Sequence, residues 1–354
     1  MNKSSGLAKI VKIIDIKPIL NCDNIECVQV LGWSVVCNKK DNFKKDDLAI
    51  YFCIDTLFDP EFEPTKFLNN KPLKTKKIRN QISQGLLAPL TWLNDFGIDE
   101  KSIKENDDVT NIMKVKKYVH SEEKDLYKEQ SLPFSLFVPK TDEIRFQNFK
   151  QIGFDIEEQD TKDNISFKKD ENIVITQKYD GSSATYIYNE NKFSMCSRNF
   201  TIEKDSNKVG PYYTEIEKKY NIEKNLTLYC QENKINIALQ GEIYGDKINS
   251  NRMGISKGKI LFAVFNIYDI DNKQYLNYNN MIKITEILKL ETVKLIYYGK
   301  ASQDIINKEK LMELAESQKY ESGNLAEGIV IKSDDARRIS FKVISNKYLL
   351  KYNL

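Results

Sequence analysis

Along the first 120 residues, apolar and polar positions alternate in short runs rather than at helical spacing. Ala8–Ile16 (AKIVKIIDI) interleaves lysine with β-branched residues. Glu26–Cys37 (ECVQVLGWSVVC) alternates on either side of Leu31-Gly32, and Leu48–Ile54 follows the polar turn KKDNFKKDD. This spacing predicts strands separated by turns, and several short strands at such intervals predict a small barrel. A basic stretch, KFLNNKPLKTKKIRN, comes next, then SQGLLAPL at Ser83–Leu90. Alone, the basic stretch reads as a solvated loop. Beside a small barrel, Lys74, Lys76, Lys77 and Arg79 become a candidate strand-binding patch.

Periodicity is lost over Lys116–Gln130 (KKYVHSEEKDLYKEQ), which sets the expected boundary: a domain at 1–120, a linker at 121–136 and a second domain at 137–354. The segment LPFSLFVPKTDEIRFQNF follows, with Pro139 biasing its predecessor to extended backbone and Lys140, Asp142, Glu143 and Arg145 grouped behind it. Further strands are expected at Asn172–Gln177, Ala184–Tyr188, Leu261–Ile267, Ile329–Lys332 and Ile339–Ile344. The clearest helix is Gln303–Lys319, capped by Ser302, with Ile305, Ile306, Leu311, Leu314 and Ala315 on one side. There is no internal repeat, and the fold class is α+β.

Composition narrows the chemistry. Of 354 residues, 41% are hydrophobic and 30% charged, and 19 Tyr with 17 Phe exclude pervasive disorder. Fourteen Gly and eight Pro exclude fibrous classes. The net charge of +3 confines any nucleic-acid surface to a local patch. The lone histidine, His120, removes multi-histidine metal sites and makes a serine–histidine triad improbable. Six cysteines without a C-x-x-C pair read as free thiols in a reducing compartment. MNKSSGLAKIVKII lacks a secretory h-region, and no apolar run reaches the roughly 20 residues of a membrane span. The expectation is an intracellular, cytoplasmic protein, with the nucleus left open and a monomer as the default.

The sharpest chemical signal is IVITQKYDGSSATYIY, where a β-branched run delivers Lys178 to a turn holding Asp180 and Gly181. Ser197-Arg198-Asn199, Gln240-Gly241-Glu242-Ile243-Tyr244-Gly245, Leu261–Ile267 (LFAVFNI), Ala326–Lys332 (AEGIVIK) and Ser340-Phe341-Lys342-Val343 follow in order. A lysine nucleophile must be neutral, yet a free lysine has a pKa of about 10.4, so a neighbouring cation is needed to depress it. Lys342 and a divalent metal are the two candidate cations. Magnesium takes oxygen ligands and keeps several waters, and Asp180, Glu242 and Glu327 are the acids this motif set brings together for it.

In order and approximate spacing these motifs resemble those of the covalent nucleotidyltransferases: DNA ligases, RNA ligases and mRNA capping enzymes. The resemblance implies a mixed α/β adenylyltransferase domain built on antiparallel sheets. In it, Lys178 attacks ATP at the α-phosphorus to give a lysyl–AMP, with Lys342 and Glu327 as its catalytic partners. Gln177, Asp180, Gly181, Arg198, Glu242, Phe265, Lys332 and Lys342 line the nucleotide site. Phe265 stacks on adenine, Glu242 meets the ribose hydroxyls, and Arg198 meets the sugar and phosphates. The metal, Mg2+ or Mn2+, is held by Asp180, Glu242 and Glu327. The final motif departs from K-x-K, since Ser340 takes the first position, and Lys332 or Arg338 is the expected substitute for that phosphate contact.

DNA ligases and capping enzymes of this superfamily carry an OB-fold after the last motif, whereas only 12 residues follow Lys342 here. The β-rich segment at 1–120 instead resembles the N-terminal OB module of a nick-sealing RNA ligase clade. The expected partner is nicked duplex RNA or an RNA-containing duplex, bound through phosphate contacts. The alternatives are a DNA ligase, a GTP-dependent capping guanylyltransferase, or a non-catalytic nucleic-acid-binding protein on the same scaffold.

Overall fold

A computed structural model of the chain describes residues 6–118, 132–154, 164–202, 211–335 and 338–354. His120 and most of the expected linker lie outside these residues. The N-terminal strands form one antiparallel sheet in the order Trp33–Asn38, Ile25–Val30, Ala8–Pro18, Leu48–Phe52 and Leu86–Ala88. The long first strand pairs with Leu48–Phe52 over Ala8–Lys12 and with Ile25–Val30 from Ile13 onward, its register shifting between Ile13 and Asp15. Such a bulge bends a strand and raises its twist, so one strand serves two sides of a nearly closed barrel. Apolar clusters pack the two faces of the sheet, one around Ile10, Ile50 and Phe52, the other around Ile13, Val28, Trp33 and Tyr51.

The Glu26–Cys37 run is a hairpin, turning at Leu31 (φ 51°) and Gly32. A Cβ on Gly32 would lie 2.7 Å from the Gln147 Cα, and the Gly32 N–H donates to the Gln147 carbonyl at 2.7 Å. Trp33 Nε1 donates to Asn148 Oδ1 at 3.0 Å, so the hairpin docks directly on the segment leading into the second domain. The basic stretch folds into a second hairpin, Lys76–Ile78 with Gln81–Ser83, whose tip residues Arg79 and Asn80 both have positive φ. Lys76, Lys77 and Arg79 are exposed there. Lys74 is not part of an open patch, because its Nζ donates to the Asn353 carbonyl at 2.6 Å.

Two antiparallel sheets build the second domain. One has the order Ile144–Arg145, Ser340–Ile344, Gly328–Ser333, Asn172–Lys178, Leu295–Lys300. The other runs Thr201–Ile202, Lys192–Cys196, Ser182–Asn189, Ile237–Gly245, Ile260–Asp269, Gln274–Tyr275. Ile144–Arg145 joins its sheet in parallel, and Glu291–Thr292 pairs in parallel with Ile260–Asp269. Helices Pro211–Tyr220, Ile222–Asn233 and Tyr278–Ile287 contribute to the core on one face of the second sheet. Helix Lys308–Ser317 does the same for the first.

That last helix corrects the expected Gln303–Lys319. Ser302 closes a turn through its carbonyl, which accepts from Ile305 and Ile306 N–H. The cap is Asn307, whose side chain accepts from Glu309 and Lys310 N–H. Ile306, Leu311 and Ala315 nevertheless share one core, so the apolar spacing was sound while the boundary was set by the local cap. Among the described residues, no helix is long and apolar enough to cross a membrane.

Candidate active site

Strand alternation decides what meets in the cleft. In the first sheet Ile173, Ile175, Ile329, Ile331, Phe341 and Val343 enter the core. The interleaved positions Lys178, Lys332 and Lys342 therefore share the opposite face. Register places Lys178 opposite Gly328, which brings the preceding Glu327 alongside it. Lys178 Nζ donates to Glu327 Oε2 at 2.7 Å. Lys342 is registered against Val330 on one side and Arg145 on the other.

The second sheet supplies Glu242, registered opposite Ser183 and Ala263. A Cβ on Gly181 would lie 2.2 Å from the Ile243 carbonyl oxygen and 2.8 Å from Glu242 Cγ. Glycine thus lets the Lys178–Gly181 turn press against the Glu242 strand.

The charges differ from the sequence expectation. Burial works against the Lys178 ammonium, but the Glu327 and Glu242 carboxylates outweigh it and hold the pKa above the ordinary lysine value. The expected depression by a neighbouring cation falls on Lys342 instead. Burial, then Lys178 and Arg145, push Lys342 down to about 7. Burial pushes Glu242 up to about 8, Lys178 opposing and Glu327 reinforcing the shift. Neither Glu242 nor Lys342 forms a hydrogen bond or ion pair among the described residues. Both side chains are half-buried, and partly desolvated charge-bearing groups without side-chain partners collect at functional sites.

Asp180 stands apart from the acid pair. Its Oδ2 accepts from Tyr348 Oη at 2.5 Å and Arg252 NH1 at 3.0 Å, and its Oδ1 from Asn249 Nδ2 at 3.0 Å. Glu242 and Glu327 remain as the carboxylates facing Lys178. Among the described residues no group of three or more acids, cysteines and histidines could hold a metal by itself. Two carboxylates suit magnesium or manganese, which keep waters and share substrate phosphates.

The other expected residues are placed as follows. Phe265 is the extra residue of a bulge, since Gln240 pairs with Asn266 and Gly241 with Val264. Phe262 and Val264 face the core, so alternation already turns Phe265 to the other face, and the bulge then lets Ile267 re-enter the core. Its ring centroid lies 5.5 Å from Lys332 Nζ. Lys332 Nζ donates to the Phe265 carbonyl at 2.8 Å and to Asn266 Oδ1 at 2.7 Å. Arg338 NH2 donates to the same Asn266 oxygen, so both expected substitutes for a lysine at Ser340 are tied to Asn266. Ser340 Oγ is buried with no partner. Arg198 Nε donates to Asp142 Oδ1 at 2.7 Å, pinning it to the extended segment. Gln177 belongs to the opposite strand face, and its Nε2 donates to the Lys319 carbonyl at 3.0 Å.

Tyr320 was not found in the sequence. Its hydroxyl donates to the Lys178 carbonyl and accepts from Glu327 N–H, each at 3.0 Å, fastening the two chain segments to each other. Arg252, Asn249 and Tyr348 were missed with it.

A barrel followed by two apposed antiparallel sheets, with a lysine and an acid pair in the cleft, defines a covalent nucleotidyltransferase of the ligase type. The RNA ligase family model matches residues 171–348 and an OB-fold domain model matches residues 7–90. The chain belongs to the RNA ligase family and is an RNA ligase. No curated protein sequence matches it. Among solved structures it is similar to Naegleria gruberi RNA ligase in several forms. An apo aspartate-to-alanine variant is 28% identical, with TM-score 0.81 and 98% of each chain covered. The form with pyrophosphate is 28% identical, with TM-score 0.80 and 99% coverage of each chain. A lysine-to-alanine variant with ATP and Mn is 27% identical, with TM-score 0.81 and 99% coverage of each chain.

Proposed function

We propose that this RNA ligase uses ATP and Mg2+ or Mn2+ to seal 3′-OH/5′-phosphate nicks in duplex RNA or RNA-containing duplexes, through a lysyl–AMP on Lys178. The observation that carries the reading is the Lys178–Glu327 pair at 2.7 Å beside unpartnered Glu242 and Lys342. A pure binding surface has no use for a buried amine set among acids. Solved forms of the Naegleria gruberi enzyme with ATP and Mn, and with AMP and Mn, support the choice of nucleotide and metal.

The Lys178 ammonium first passes a proton to Glu327 Oε2, the acceptor of its hydrogen bond, and Nζ then attacks the α-phosphorus, forming N–P as the bond to pyrophosphate breaks. Lys342, charged by the incoming phosphates, offsets the negative charge that develops there. AMP passes to the 5′-phosphate of the nick, and the 3′-OH displaces it. A divalent cation held by Glu242 and Glu327 would supply charge neutralisation at the phosphates. Phe265 and Arg198 take the base and sugar–phosphate sides. Domains at 1–120 and 137–354 joined by the 121–136 linker divide duplex holding from chemistry. The protein acts inside the cell as a monomer.

The test is incubation with α-labelled ATP and magnesium or manganese without nucleic acid, followed by a denaturing gel. An acid-labile adduct on wild type that is absent from Lys178→Ala supports the nucleotidyltransferase step, and nicked RNA and DNA duplexes then separate RNA from DNA ligation. Label from GTP alone indicates capping chemistry, and label from neither returns the non-catalytic binder.

A further inference from the structure

Asp180 lies two residues from Lys178, and its carboxylate is buried under three donors from remote parts of the chain. Two of these donors are organised by one short helix, Asn346–Tyr352. Tyr348 donates directly to Asp180 Oδ2. Tyr352, one turn on, packs its ring 4.7 Å from Tyr348 and 5.6 Å from the Arg252 guanidinium, the second donor. Residues four apart share a helix face, so one face of this helix braces both groups on Asp180.

The same helix is fastened to the N-terminal barrel. Gln84 Nε2 donates to Asn346 Oδ1 at 3.2 Å, Lys74 Nζ to the Asn353 carbonyl at 2.6 Å, and Thr75 N–H to the Leu354 carbonyl at 3.0 Å. Gln84 is itself buried in the barrel, with its carbonyl accepting from Tyr51 Oη. A continuous path of hydrogen bonds and ring contacts therefore runs from barrel to helix to Asp180 to the turn that carries the nucleophile.

We infer that Tyr348 is a positioning residue for Lys178, and that the Asn346–Tyr352 helix is the element through which the N-terminal barrel sets the geometry of lysine adenylylation. This rests on the ligase reading above. It gives the residues after the last motif a role in the first chemical step. Tyr348 acts by holding Asp180, and through it the Lys178–Gly181 turn, in the register where Lys178 meets Glu327.

The experiment compares wild type with Tyr348→Phe, which keeps the ring and removes only the hydroxyl, and with Lys74→Ala/Gln84→Ala, which loosens the helix from the barrel. Single-turnover formation of the ATP adduct is measured against ATP concentration, alongside sealing of a nick supplied already adenylylated, a step in which Lys178 is not the nucleophile. For Tyr348→Phe the maximal adduct rate is expected to fall about tenfold to hundredfold, the size of a hydrogen bond to a charged group. ATP half-saturation and sealing of the pre-adenylylated nick should stay near wild type. The double variant should slow adduct formation about threefold or more, through two weaker bonds. A wild-type adduct rate in Tyr348→Phe overturns the inference. So does an equal fall in both reactions, which would assign Tyr348 to general folding. Absence of an adduct in the wild type overturns the ligase reading itself.

Discussion

Lys342 in the nucleotide-free state is about half charged near pH 7, and binding of a triphosphate should charge it fully. Its pKa of about 7 lies 3.5 units below the ordinary 10.5, equivalent to about 5 kcal/mol against the cation. The cause is burial without a partner, reinforced by the positive charges of Lys178 and Arg145. At pH 8 about nine in ten molecules then carry a neutral Lys342, and at pH 6 about one in ten. Phosphates placed beside it reverse the balance. Binding of α,β-methylene ATP, which cannot transfer AMP, should take up about 0.9 proton more at pH 8 in wild type than in Lys342→Met. At pH 6 the difference should be about 0.1. Calorimetric titration in two buffers of different ionisation enthalpy reads this number. Glu242 titrates nearby, pushed up to about 8, but it is present in both proteins and cancels in the difference. A difference near zero at pH 8, with nucleotide bound by both proteins, would mean that Lys342 is already charged and would refute the burial argument.

Lys332 is also pushed down to about 7, by burial and then by Arg338. Its native form carries fewer protons than the unfolded chain between pH 7 and 10.5, so stability rises with pH there, by up to about 1.4 kcal/mol per unit. Urea unfolding of Lys332→Met at pH 7.5 and 9.5 should lose that slope, and parallel behaviour with wild type would reject it. Gly181→Ala should lower stability by about 1–3 kcal/mol, since a Cβ there meets the Ile243 carbonyl; an unchanged melting temperature would show that the strand can yield. Replacing Lys76, Lys77 and Arg79 with Ala should shallow the salt dependence of duplex RNA binding by about 0.9 per lost phosphate contact, with adduct formation unaffected. An unchanged salt slope would place the duplex elsewhere.

Strands with one buried face were legible in this sequence because burial writes itself as alternation. Ser340–Ile344 shows this, burying Phe341 and delivering Lys342 to the cleft, whereas Asn172–Lys178, buried on both faces as far as Gln177, was legible as a continuous β-branched run ending at Lys178. Phe265 was ambiguous because its run is apolar throughout: Phe262 and Val264 put it off the core face, whereas Ile267, shifted in parity by a bulge invisible in the residue pattern, points to the opposite assignment. Helix Ile222–Asn233 went unread although Ile222, Leu226 and Cys230 recur every four positions, since so few apolar residues dilute the signal. Tyr348 and Arg252 could not be found by spacing. They lie 168 and 72 residues from Asp180, and only the tertiary fold joins them.

The reversed charge on Lys178 has the same origin. The motif set does bring a second lysine to the cleft, but burial, the largest influence on Lys178, is outweighed by the combined attraction of Glu327, Glu242 and Asp180. The nucleotide-free cleft consequently holds Lys178 charged and Lys342 only partly charged near neutral pH, the reverse of what the proposed chemistry needs. Both are corrected by the same arrival. Triphosphate favours the charged form of Lys342, and a charged Lys342 together with any cation that draws Glu327 away lowers the pKa of Lys178. On the mechanism proposed above, the pairing of Lys178 with Glu327 keeps the amine protonated, and so unreactive toward electrophiles, until the nucleotide is in place.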